Sequence, residues 1–364
     1  MRVILTGGGT GGHIYPALSV AEALSNCEIL YVGSADGPEA RIVPAAGVEF
    51  RSVPTRKLSR RPTLGSAVAL AICAGGVIRG MEILRSWKPD VVLGTGGFAS
   101  AGMMFAAGML RVPSVIHEAN AVPGRANQLL SRFCTRVAVT YPQTERYFPG
   151  RNVTLTGIPV RTAVRTADAG RAVGQFDIDP ARPLLFVTGG SGGAKSLNRA
   201  VVGSVERLME HGIQVFLQTG RTQYDEVAAQ IGSTSRRGLW IAPYVDDVPS
   251  LLAASSVVLC RGGSSTLAEV TALGRPAIVA PYPYAVADHQ TGNARVLVDA
   301  GAALLVTDAE LTSDRLTEEV IRLTDDRELA GRMASASRSL GRPDAAERVA
   351  RLLRETAESG RRQG

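Results

Sequence analysis

The sequence RVILTGGGTGGH, residues 2–13, is the clearest local indication of the fold, because a short apolar strand runs directly into five glycines arranged around Thr10. Glycines remove side chains from a strand-to-helix turn, so another molecule can approach the backbone amides there. The positive end of the following helix favours negative charge at the same place. His13, at the edge of the turn, adds a group that titrates near neutral pH. The stretch therefore predicts an α/β sheet with a phosphate-handling loop after its first strand.

Two further glycine turns, at 94–97 and 189–193, follow apolar runs in the same way. Short apolar runs alternate with helix-length segments along the chain, as in parallel sheets with crossover helices. The pattern breaks near 157–161, and it predicts two doubly wound, Rossmann-like α/β domains facing a cleft. The predicted strands are 2–6, 28–33, 48–53, 90–94, 114–117 and 136–140, and then 183–188, 213–218, 256–260 and 276–280.

Length, charge and cysteine content limit the class of protein. A chain of 364 residues is long for one hydrophobic core, which favours two domains. The net charge of +7 suits nucleic acid, anionic lipid or phosphorylated ligands, but an aromatic content of 5% argues against a nucleic-acid stacking surface. The four cysteines are far apart, which predicts neither disulfides nor a zinc site. The chain starts directly in a strand, so we expect no signal peptide.

The segment 64–78 carries no charge and follows the basic residues Arg56, Lys57, Arg60 and Arg61. It is too short and too rich in glycine for a comfortable transmembrane helix. One interpretation is a core helix that packs on the sheet behind a solvated basic loop. The other is a surface that docks on an anionic membrane.

Three motifs associated with nucleotides or nucleotide sugars are present in part or in full, and the sequence argues against each. The first loop matches the dinucleotide fingerprint G-x-G-x-x-G, but the second strand ends at 31–34 without the acidic residue that would bind ribose. Lys195 follows the third loop as in a P-loop, but Ala194 stands where that motif requires glycine, which argues against an ATPase. The D-x-D sequence at 177–179 precedes a proline and predicts a turn.

Three polar clusters fall where ligand sites are expected. The segment 117–120 places an imidazole, a carboxylate and an amide after a strand, at the same predicted sheet edge as His13. The segment 260–269 is a strand, a glycine turn and a helix start, with hydroxyls suited to phosphate and Glu269 suited to a ribose diol. The segment 288–293 opens another helix with groups suited to sugar hydroxyls.

In this order the motifs resemble the MurG family of UDP-N-acetylglucosamine transferases, which complete the lipid-linked peptidoglycan precursor. The resemblance spans nearly the whole chain and implies the glycosyltransferase-B fold. It implies an N-terminal acceptor-binding domain, 1–160, completed by a returning C-terminal helix, 342–364, and a C-terminal UDP-N-acetylglucosamine-binding domain, 161–341. The motifs are Gly7–His13, Gly94–Gly97, His117–Asn120, Gly157–Arg161, Gly189–Ala194, Arg261–Glu269 and His289–Asn293.

The resemblance also implies how the donor is held. Val245 would offer its backbone to uracil, Glu269 would bind the ribose hydroxyls, and Gln290 would read the N-acetylglucosamine hydroxyls. Arg161 and Arg261 would place positive charge beside the departing UDP, so neither a metal ion nor another cofactor is expected. The donor-binding residues implied are Thr10, Gly11, Gly12, Arg161, Ser191, Gly192, Val245, Arg261, Ser265, Thr266, Glu269 and Gln290.

The implied acceptor is undecaprenyl-pyrophosphoryl-muramoyl-pentapeptide, bound at the cytoplasmic, anionic face of the cell membrane, with its pyrophosphate near the first loop. Its 4-hydroxyl would attack the anomeric carbon and invert it to a β-1,4 bond. His13 is the first candidate for the catalytic base and Glu118 the second. The acceptor-side residues implied are Gly7, Gly8, Gly9, Gly96, Gly97, Asn120, Asn127 and Asn198.

The sequence departs from the family's usual pattern at six positions, most of them on the acceptor side or at the domain hinge: Phe98, Ala119, Ile158, Gly192, Tyr284 and Gly292. Two alternatives therefore stay open. One is a related UDP-sugar glycosyltransferase with a different lipid or soluble acceptor. The other is a nucleotide-sugar-binding subunit without activity, although the presence of His13, Glu118, Glu269 and Gln290 argues against it.

Overall fold

The computed structural model describes residues 1–56, 64–190, 192–232 and 235–361, with the backbone alone at 64–67 and 235. The predicted site residue Ser191 and the basic residues Lys57, Arg60 and Arg61 lie outside this description. The chain divides into two compact units, unit 1 (Met1–Thr162 with Pro343–Gly364) and unit 2 (Ala163–Arg342). Each unit contains one doubly wound sheet, so the predicted fold class is confirmed.

The sheet of unit 1 has seven parallel strands. They are β1 (Arg2–Thr6), β2 (Glu28–Gly33), β3 (Glu49–Ser52), β4 (Val91–Gly94), β5 (Ser114–Glu118), β6 (Arg136–Val139) and β7 (Val153–Leu155). Their order is β3-β2-β1-β4-β5-β6-β7. The direction of winding reverses between β1 and β4, and ligands of such sheets bind outside the carboxyl ends of the strands at this switch point.

Helices cover both faces of this sheet: α1 (Gly11–Ala23), α2 (Glu39–Ala45), α3 (Leu64–Trp87), α4 (Phe98–Met109), α5 (Arg125–Leu130) and α15 (Ala345–Arg361), with a 3₁₀ helix at Pro142–Tyr147. Successive strand residues point to opposite faces. Val3 and Leu5 therefore pack in one core cluster with α1 and α15, whereas Ile4 packs in another with α3 and α4. The C-terminal helix α15 thus belongs to the core of unit 1, far in sequence from the strands it covers.

Unit 2 repeats the plan with β8 (Leu184–Thr188), β9 (Gln214–Gln218), β10 (Ser235–Arg236), β11 (Leu239–Ala242), β12 (Val257–Cys260), β13 (Ala277–Val279) and β14 (Ala303–Leu305). The order is β10-β11-β9-β8-β12-β13-β14, and β10 alone is antiparallel to its neighbour. The switch point lies between β8 and β12. The helices are α6 (Thr162–Arg165), α7 (Ala169–Phe176), α8 (Lys195–Glu210), α9 (Tyr224–Ile231), α10 (Val248–Ala254), α11 (Ser264–Ala272), α12 (His289–Asp299), α13 (Ser313–Asp325) and α14 (Arg327–Leu340), with a 3₁₀ helix at Val286–Asp288.

All ten predicted strands are present, and the structure adds β7, β10, β11 and β14. The added strands are short or only half-buried. β7 and β14 have three residues each, and buried and partly exposed residues alternate along β11. Such strands do not produce a continuous apolar run, which is why the sequence pattern missed them.

The uncharged segment 64–78 forms the first part of α3, which packs against α4. Within the described ranges, no helix is long and apolar enough to cross a membrane. Val68, Leu70 and Ile78 of α3 are exposed. The helix therefore combines a packed side with an exposed apolar side.

Candidate active site

The switch point of unit 1 is built from two glycine loops that touch each other, the first at 7–12 after β1 and the second at 94–97 after β4. The amide of Gly8 donates to the carbonyl of Gly96 at 3.3 Å. Gly96 and Gly97 have φ values of +99° and +81°, and a Cβ at Gly97 would collide with the carbonyl of Gly8. Only glycine allows this close approach, which places the first turn of α1 directly beside the second loop.

His13 lies in the first turn of α1, and its tautomer follows from its neighbours. Its Nδ1 is 3.1 Å from the carbonyl oxygen of Gly8, and the hydroxyl of Thr95 donates to the His13 carbonyl at 2.7 Å. The oxygen of the Thr10 hydroxyl, which can accept or donate, is 3.4 Å from the same nitrogen. Because the nearer carbonyl can only accept, we infer that in the neutral ring Nδ1 carries the hydrogen and Nε2 the lone pair. A Cβ at Gly96 would be 3.3 Å from Nε2, so this nitrogen lies against the second glycine loop.

Glu39 lies beside the candidate site, and the sequence analysis did not identify it. The side chain is fully buried behind the first loop, where Oε2 accepts from the amide of Gly9 and Oε1 from the amide of Ser34, both at 3.0 Å. A Cβ at Gly8 or Gly37 would collide with this carboxylate. No local sequence motif indicates this interaction, because Glu39 is 30 residues away from Gly9 in the chain.

Glu118, the second candidate base, is 2% exposed and has both oxygens occupied. Oε1 accepts from the backbone and side-chain nitrogens of Asn120, and Oε2 accepts from the Gly124 amide and, at 2.8 Å, from Asn127 Nδ2. Burial raises the pKa of Glu118 and outweighs the opposing effect of these hydrogen bonds. The carboxylate thus holds the segment between β5 and α5 in place.

His117 is buried beside these loops as a neutral ring. Its Nε2–H donates to the carbonyl of Gly157 at 2.8 Å, and its Nδ1 is buried without a partner. Burial lowers the pKa of His117 from 6.5 to about 4, the hydrogen bond to Gly157 opposes this shift, and the charge of His13 adds to it. His117 therefore ties β5 to the residue at the end of unit 1 where the predicted hinge begins, and it does so uncharged at neutral pH.

In unit 2 the third glycine loop, 189–193, follows β8 and is held by Gln218. The side chain of Gln218 donates to the carbonyl of Gly190 at 3.2 Å and accepts from the Val245 amide at 3.2 Å. Gly193 has a φ of +72°, and a Cβ there would collide with the carbonyl of Thr219. The loop after β8 is thereby joined to the segment after β11 that contains Val245.

Arg261, expected to face the diphosphate, is engaged within unit 2. Its Nη1 donates to Asp308 Oδ1 at 2.5 Å and to the Ala280 carbonyl at 2.9 Å, and its Nη2 donates to Ser196 Oγ at 2.8 Å. Burial acts to raise the pKa of Asp308, but hydrogen bonds from Ser196 and Arg261 outweigh it and the pKa is lowered. The guanidinium therefore joins the segments that follow β12, β13 and β14 to the start of α8.

The second loop of unit 2, Arg261–Gly263 after β12, leads into α11. Ser265 Oγ, in the first turn of that helix, is buried without a hydrogen-bond partner. Glu269 follows one turn later on the same helix. Gln290 begins the next helix and accepts from the Tyr282 amide at 2.8 Å. An unpaired hydroxyl at a helix N-terminus suits an anionic oxygen, since the free amides of the first turn point the same way.

The predicted site residues thus fall into two groups. The first group gathers at the unit 1 switch point, with Arg161 near Tyr15, whose ring centre is 5.7 Å from the guanidinium carbon. The second gathers at the unit 2 switch point. Asn198, predicted with the acceptor side, lies instead in unit 2 on α8, where its buried Nδ2 donates to the Thr219 carbonyl and to Gln223 at 3.0 Å each.

The D-x-D sequence forms the predicted turn. Asp177 adopts a left-handed conformation at the end of α7, and Asp179 accepts from the Ala181 amide. Among the described side chains, no group of three or more His, Cys, Asp or Glu residues is placed to hold a metal ion.

Comparisons with known proteins cover nearly the whole chain. The glycosyltransferase family 28 N-terminal domain matches residues 3–139, and the family 28 C-terminal domain matches residues 184–349. A relative from Desulforudis audaxviator is 39% identical over all of both chains, and one from an Exiguobacterium species is 42% identical over 98% of this chain and 99% of its own. Both are named UDP-N-acetylglucosamine–N-acetylmuramyl-(pentapeptide) pyrophosphoryl-undecaprenol N-acetylglucosamine transferase.

A solved structure agrees with these relatives. The crystal structure of Acinetobacter baumannii MurG superposes with a TM-score of 0.78 at 28% identity, over 97% of this chain and 99% of that one. The two doubly wound units are thus those of a glycosyltransferase-B fold. Because both domain models and full-length relatives at this level of identity agree, the chain belongs to glycosyltransferase family 28 and, within it, to the MurG family of N-acetylglucosamine transferases.

Proposed function

We propose that the protein transfers N-acetylglucosamine from UDP-N-acetylglucosamine to the 4-hydroxyl of undecaprenyl-pyrophosphoryl N-acetylmuramoyl-pentapeptide, with inversion, to form a β-1,4 bond. The observation that carries the proposal is the 3.1 Å contact between His13 Nδ1 and the Gly8 carbonyl oxygen, from which we infer the tautomer of the ring. Its Nδ1–H is fixed on the Gly8 carbonyl, which leaves Nε2 as a base at the switch point of unit 1. The names of the full-length relatives support the choice of donor and acceptor.

In the proposed reaction the acceptor oxygen forms a bond to the anomeric carbon while the bond from that carbon to the UDP oxygen breaks. The proton of the acceptor hydroxyl passes to Nε2 of His13, and the electron pair leaves with UDP. Glu118 is 2% exposed and each of its oxygens already accepts two hydrogen bonds, so neither oxygen is directed at a bound acceptor. We therefore assign Glu118 to positioning Asn120 and Asn127 rather than to proton transfer.

Unit 2 is proposed to hold the donor. The Val245 amide already donates to Gln218, so the carbonyl of Val245 would accept from the uracil ring. Glu269 would bind the ribose hydroxyls. The Ser265 hydroxyl, with Thr266, the backbone at Gly192 and Ser191, would hold the diphosphate, and Gln290 would contact the sugar. Hydrogen bonds and helix dipoles aimed at the leaving diphosphate stabilise its developing charge, so the proposal requires no metal ion.

Arg261 would act on the diphosphate indirectly, because its guanidinium is already paired with Asp308 and hydrogen-bonded to Ser196. Unit 1 would contribute Arg161, Thr10 and the amides of Gly11 and Gly12 to the donor. It would seat the acceptor along Gly7–Gly9 and the second glycine loop.

We also propose that unit 1 works at the cytoplasmic face of the cell membrane. Support comes from α3, whose Val68, Leu70 and Ile78 side chains are 51%, 63% and 60% exposed, close in sequence to the basic residues that begin at Arg56. Apolar side chains beside positive charge favour an anionic lipid surface. Replacing Arg56, Lys57, Arg60 and Arg61 with glutamine should abolish binding to vesicles rich in phosphatidylglycerol. Unchanged binding would contradict this part of the proposal.

The activity is tested with purified protein, labelled UDP-N-acetylglucosamine and a lipid-linked muramoyl-pentapeptide analogue. Transfer of label to the analogue is the expected result. Release of UDP only with other acceptors would instead identify a related transferase with a different acceptor. Binding of the donor without turnover would contradict an enzymatic role.

The role of His13 has its own test. His13→Ala should lower kcat by about 10²–10⁴-fold, the usual contribution of a general base, while UDP binding by unit 2 is retained. The matched control is His211→Ala, since His211 lies on the surface of unit 2 and pairs with Asp325. Turnover at the level of the control would remove His13 from the reaction.

A further inference from the structure

We propose that Glu39 is a positioning residue for catalysis, which acts on His13 through the single peptide group between Gly8 and Gly9. The inference rests on the proposed role of His13 as the base. It adds a buried carboxylate that is separated from His13 by the first glycine loop.

The geometry is a chain of three groups. The Glu39 carboxylate accepts from the amide of Gly9 at 3.0 Å, and the carbonyl of Gly8 accepts from Nδ1–H of His13 at 3.1 Å. The Gly9 amide and the Gly8 carbonyl are the two ends of one planar peptide unit. The carboxylate and the imidazole are therefore bonded to opposite ends of the same dipole.

This arrangement affects the charge on the ring. A carboxylate that accepts from the N–H end of a peptide polarises that peptide and increases the negative charge on its carbonyl oxygen. The carbonyl then binds Nδ1–H more strongly, which fixes the tautomer and stabilises the imidazolium that forms when Nε2 takes the acceptor proton. A carboxylate that orients a catalytic histidine directly has the same effect in hydrolases. Here a peptide group lies between the two.

The loop is built to keep the carboxylate in place. Glu39 is fully buried, and its second oxygen is fixed by the Ser34 amide. Its pocket is closed by Gly8, Gly33 and Gly37, where added Cβ atoms would come into conflict with the Glu39 side chain. The Glu39 carboxylate is thus out of contact with solvent and bonded to a backbone amide at each oxygen.

Three other titratable groups lie next to the same loops. The Tyr31 hydroxyl donates to the Gly7 carbonyl at 3.0 Å, and burial together with the charge of Glu39 raises the pKa of Tyr31 above its usual range. His117 is neutral near pH 7, and Glu118 is committed to Asn120, Gly124 and Asn127. Glu39 is therefore the carboxylate that the hydrogen bonds connect to His13.

The first test reads His13 directly by NMR of protein labelled with ¹⁵N-histidine. The chain has four histidines, and the signals of His13 are those missing from His13→Ala. In the wild type we expect the neutral ring to carry its hydrogen on Nδ1. In Glu39→Gln we expect a mixture of tautomers and titration of His13 at lower pH. The control is Glu49→Gln, since Glu49 is exposed and pairs with Arg51.

The second test is kinetic. Glu39→Gln should lower kcat by about 10- to 100-fold, as loss of a supporting hydrogen bond does at other sites, with the KM for UDP-N-acetylglucosamine nearly unchanged. The acid limb of the kcat profile should move to lower pH, because the base becomes weaker. Damage to the fold alone would lower activity without moving that limb.

Glu39→Asp covers the case in which Glu39→Gln does not fold. The shorter carboxylate keeps the charge but should lose the bond to Gly9, so it should change the His13 signals in the same direction. An Nε2–H tautomer in the wild type, or unchanged His13 titration in either folded variant, would overturn the inference. Normal turnover in His13→Ala would instead contradict the proposed function, whatever the NMR shows.

Discussion

The two switch points share a topology and differ in charge. In unit 1 the glycine loops are supported by two buried carboxylates, Glu39 and Glu118, and by the histidines His13 and His117. In unit 2 the corresponding position, after β12, is supported by the guanidinium of Arg261, and a buried hydroxyl is left unpaired in the next helix. The glycine loops are therefore held by buried carboxylates in unit 1 and by an arginine that is paired with Asp308 in unit 2.

This difference matches the chemistry proposed for each unit. A carboxylate behind a loop stabilises a ring that accepts a proton, but it repels a dianion. The amides of a helix N-terminus and the unpaired hydroxyl of Ser265 favour a diphosphate. The first glycine loop of unit 1 is therefore better suited to orienting His13 than to binding phosphate tightly, although its sequence alone suggests a phosphate loop.

His117 should make the stability of unit 1 depend on pH. Its pKa is lowered from 6.5 to about 4 by burial, so between these values the unfolded chain binds more protons than the folded one. Stability is therefore complete above pH 6.5 and is lost as the pH falls toward 4, by about 3 kcal/mol in total. Trp87 in unit 1 and Trp240 in unit 2 are the two tryptophans, so a Trp240→Phe background reports unit 1 alone.

Urea unfolding at pH 7 and pH 5 measures this effect through Trp87 fluorescence. His117→Gln, which keeps a donor toward Gly157, should lose less free energy of unfolding between these pH values than the parent, by about 2 kcal/mol. His211→Gln is the control, since that ring lies on the surface of unit 2. An equal loss in parent and His117→Gln would show that His117 is not the acid-sensitive group.

Arg261 should stabilise unit 2 at neutral pH and also at moderately acidic pH. Arg261→Met removes the charged partner of Asp308, whose side chain is 27% exposed and keeps its hydrogen bond from Ser196, so we expect a loss of about 2 kcal/mol, below that of a fully buried pair. The lowered pKa of Asp308 means that this contribution is present above pH 3.8 and disappears as the pH falls through the folded-state value. In a Trp87→Phe background, unfolding followed by Trp240 measures it.

The double variant Arg261→Met with Asp308→Asn separates the ion pair from the packing. Asp308→Asn removes the uncompensated carboxylate, so the double variant should be more stable than Arg261→Met alone. If both variants are equally unstable, the guanidinium acts through Ser196 and the backbone carbonyls instead of through its charge on Asp308.

Much of the fold could be predicted because its signals are local. Buried parallel strands are apolar on both faces, so their runs are visible in the sequence, and glycine turns identify the strand ends that carry the loops. The short or half-buried strands β7, β11 and β14 were missed for the same reason. The C-terminal helix was expected on the N-terminal domain from the family resemblance alone.

The candidate site was less predictable, because its decisive contacts join residues that are distant in sequence. Glu39 reaches Gly9 across 30 residues, and Arg261 reaches Asp308 across 47. The family resemblance placed Arg261 near the diphosphate and Glu118 second among the candidate bases, and the structure shows both side chains hydrogen-bonded inside their own units. Asn198 shows the same limit, since its buried amide holds the loop after β9. A motif identifies a residue near a site, but it does not show which neighbours the side chain of that residue contacts.

Ser265→Ala is expected to have the smallest effect of these variants, and the effect should be on UDP binding and not on stability. Its hydroxyl is buried and unpaired, so Ser265→Ala should leave the free energy of unfolding of unit 2 within about 0.5 kcal/mol of the parent. If the hydroxyl donates to the diphosphate, the Kd for UDP should rise about tenfold, as expected for one hydrogen bond to a charged group. Calorimetric titration with UDP measures this, with Ser313→Ala as the control, because Ser313 begins α13. Unchanged UDP affinity with unchanged stability would place the diphosphate away from Ser265.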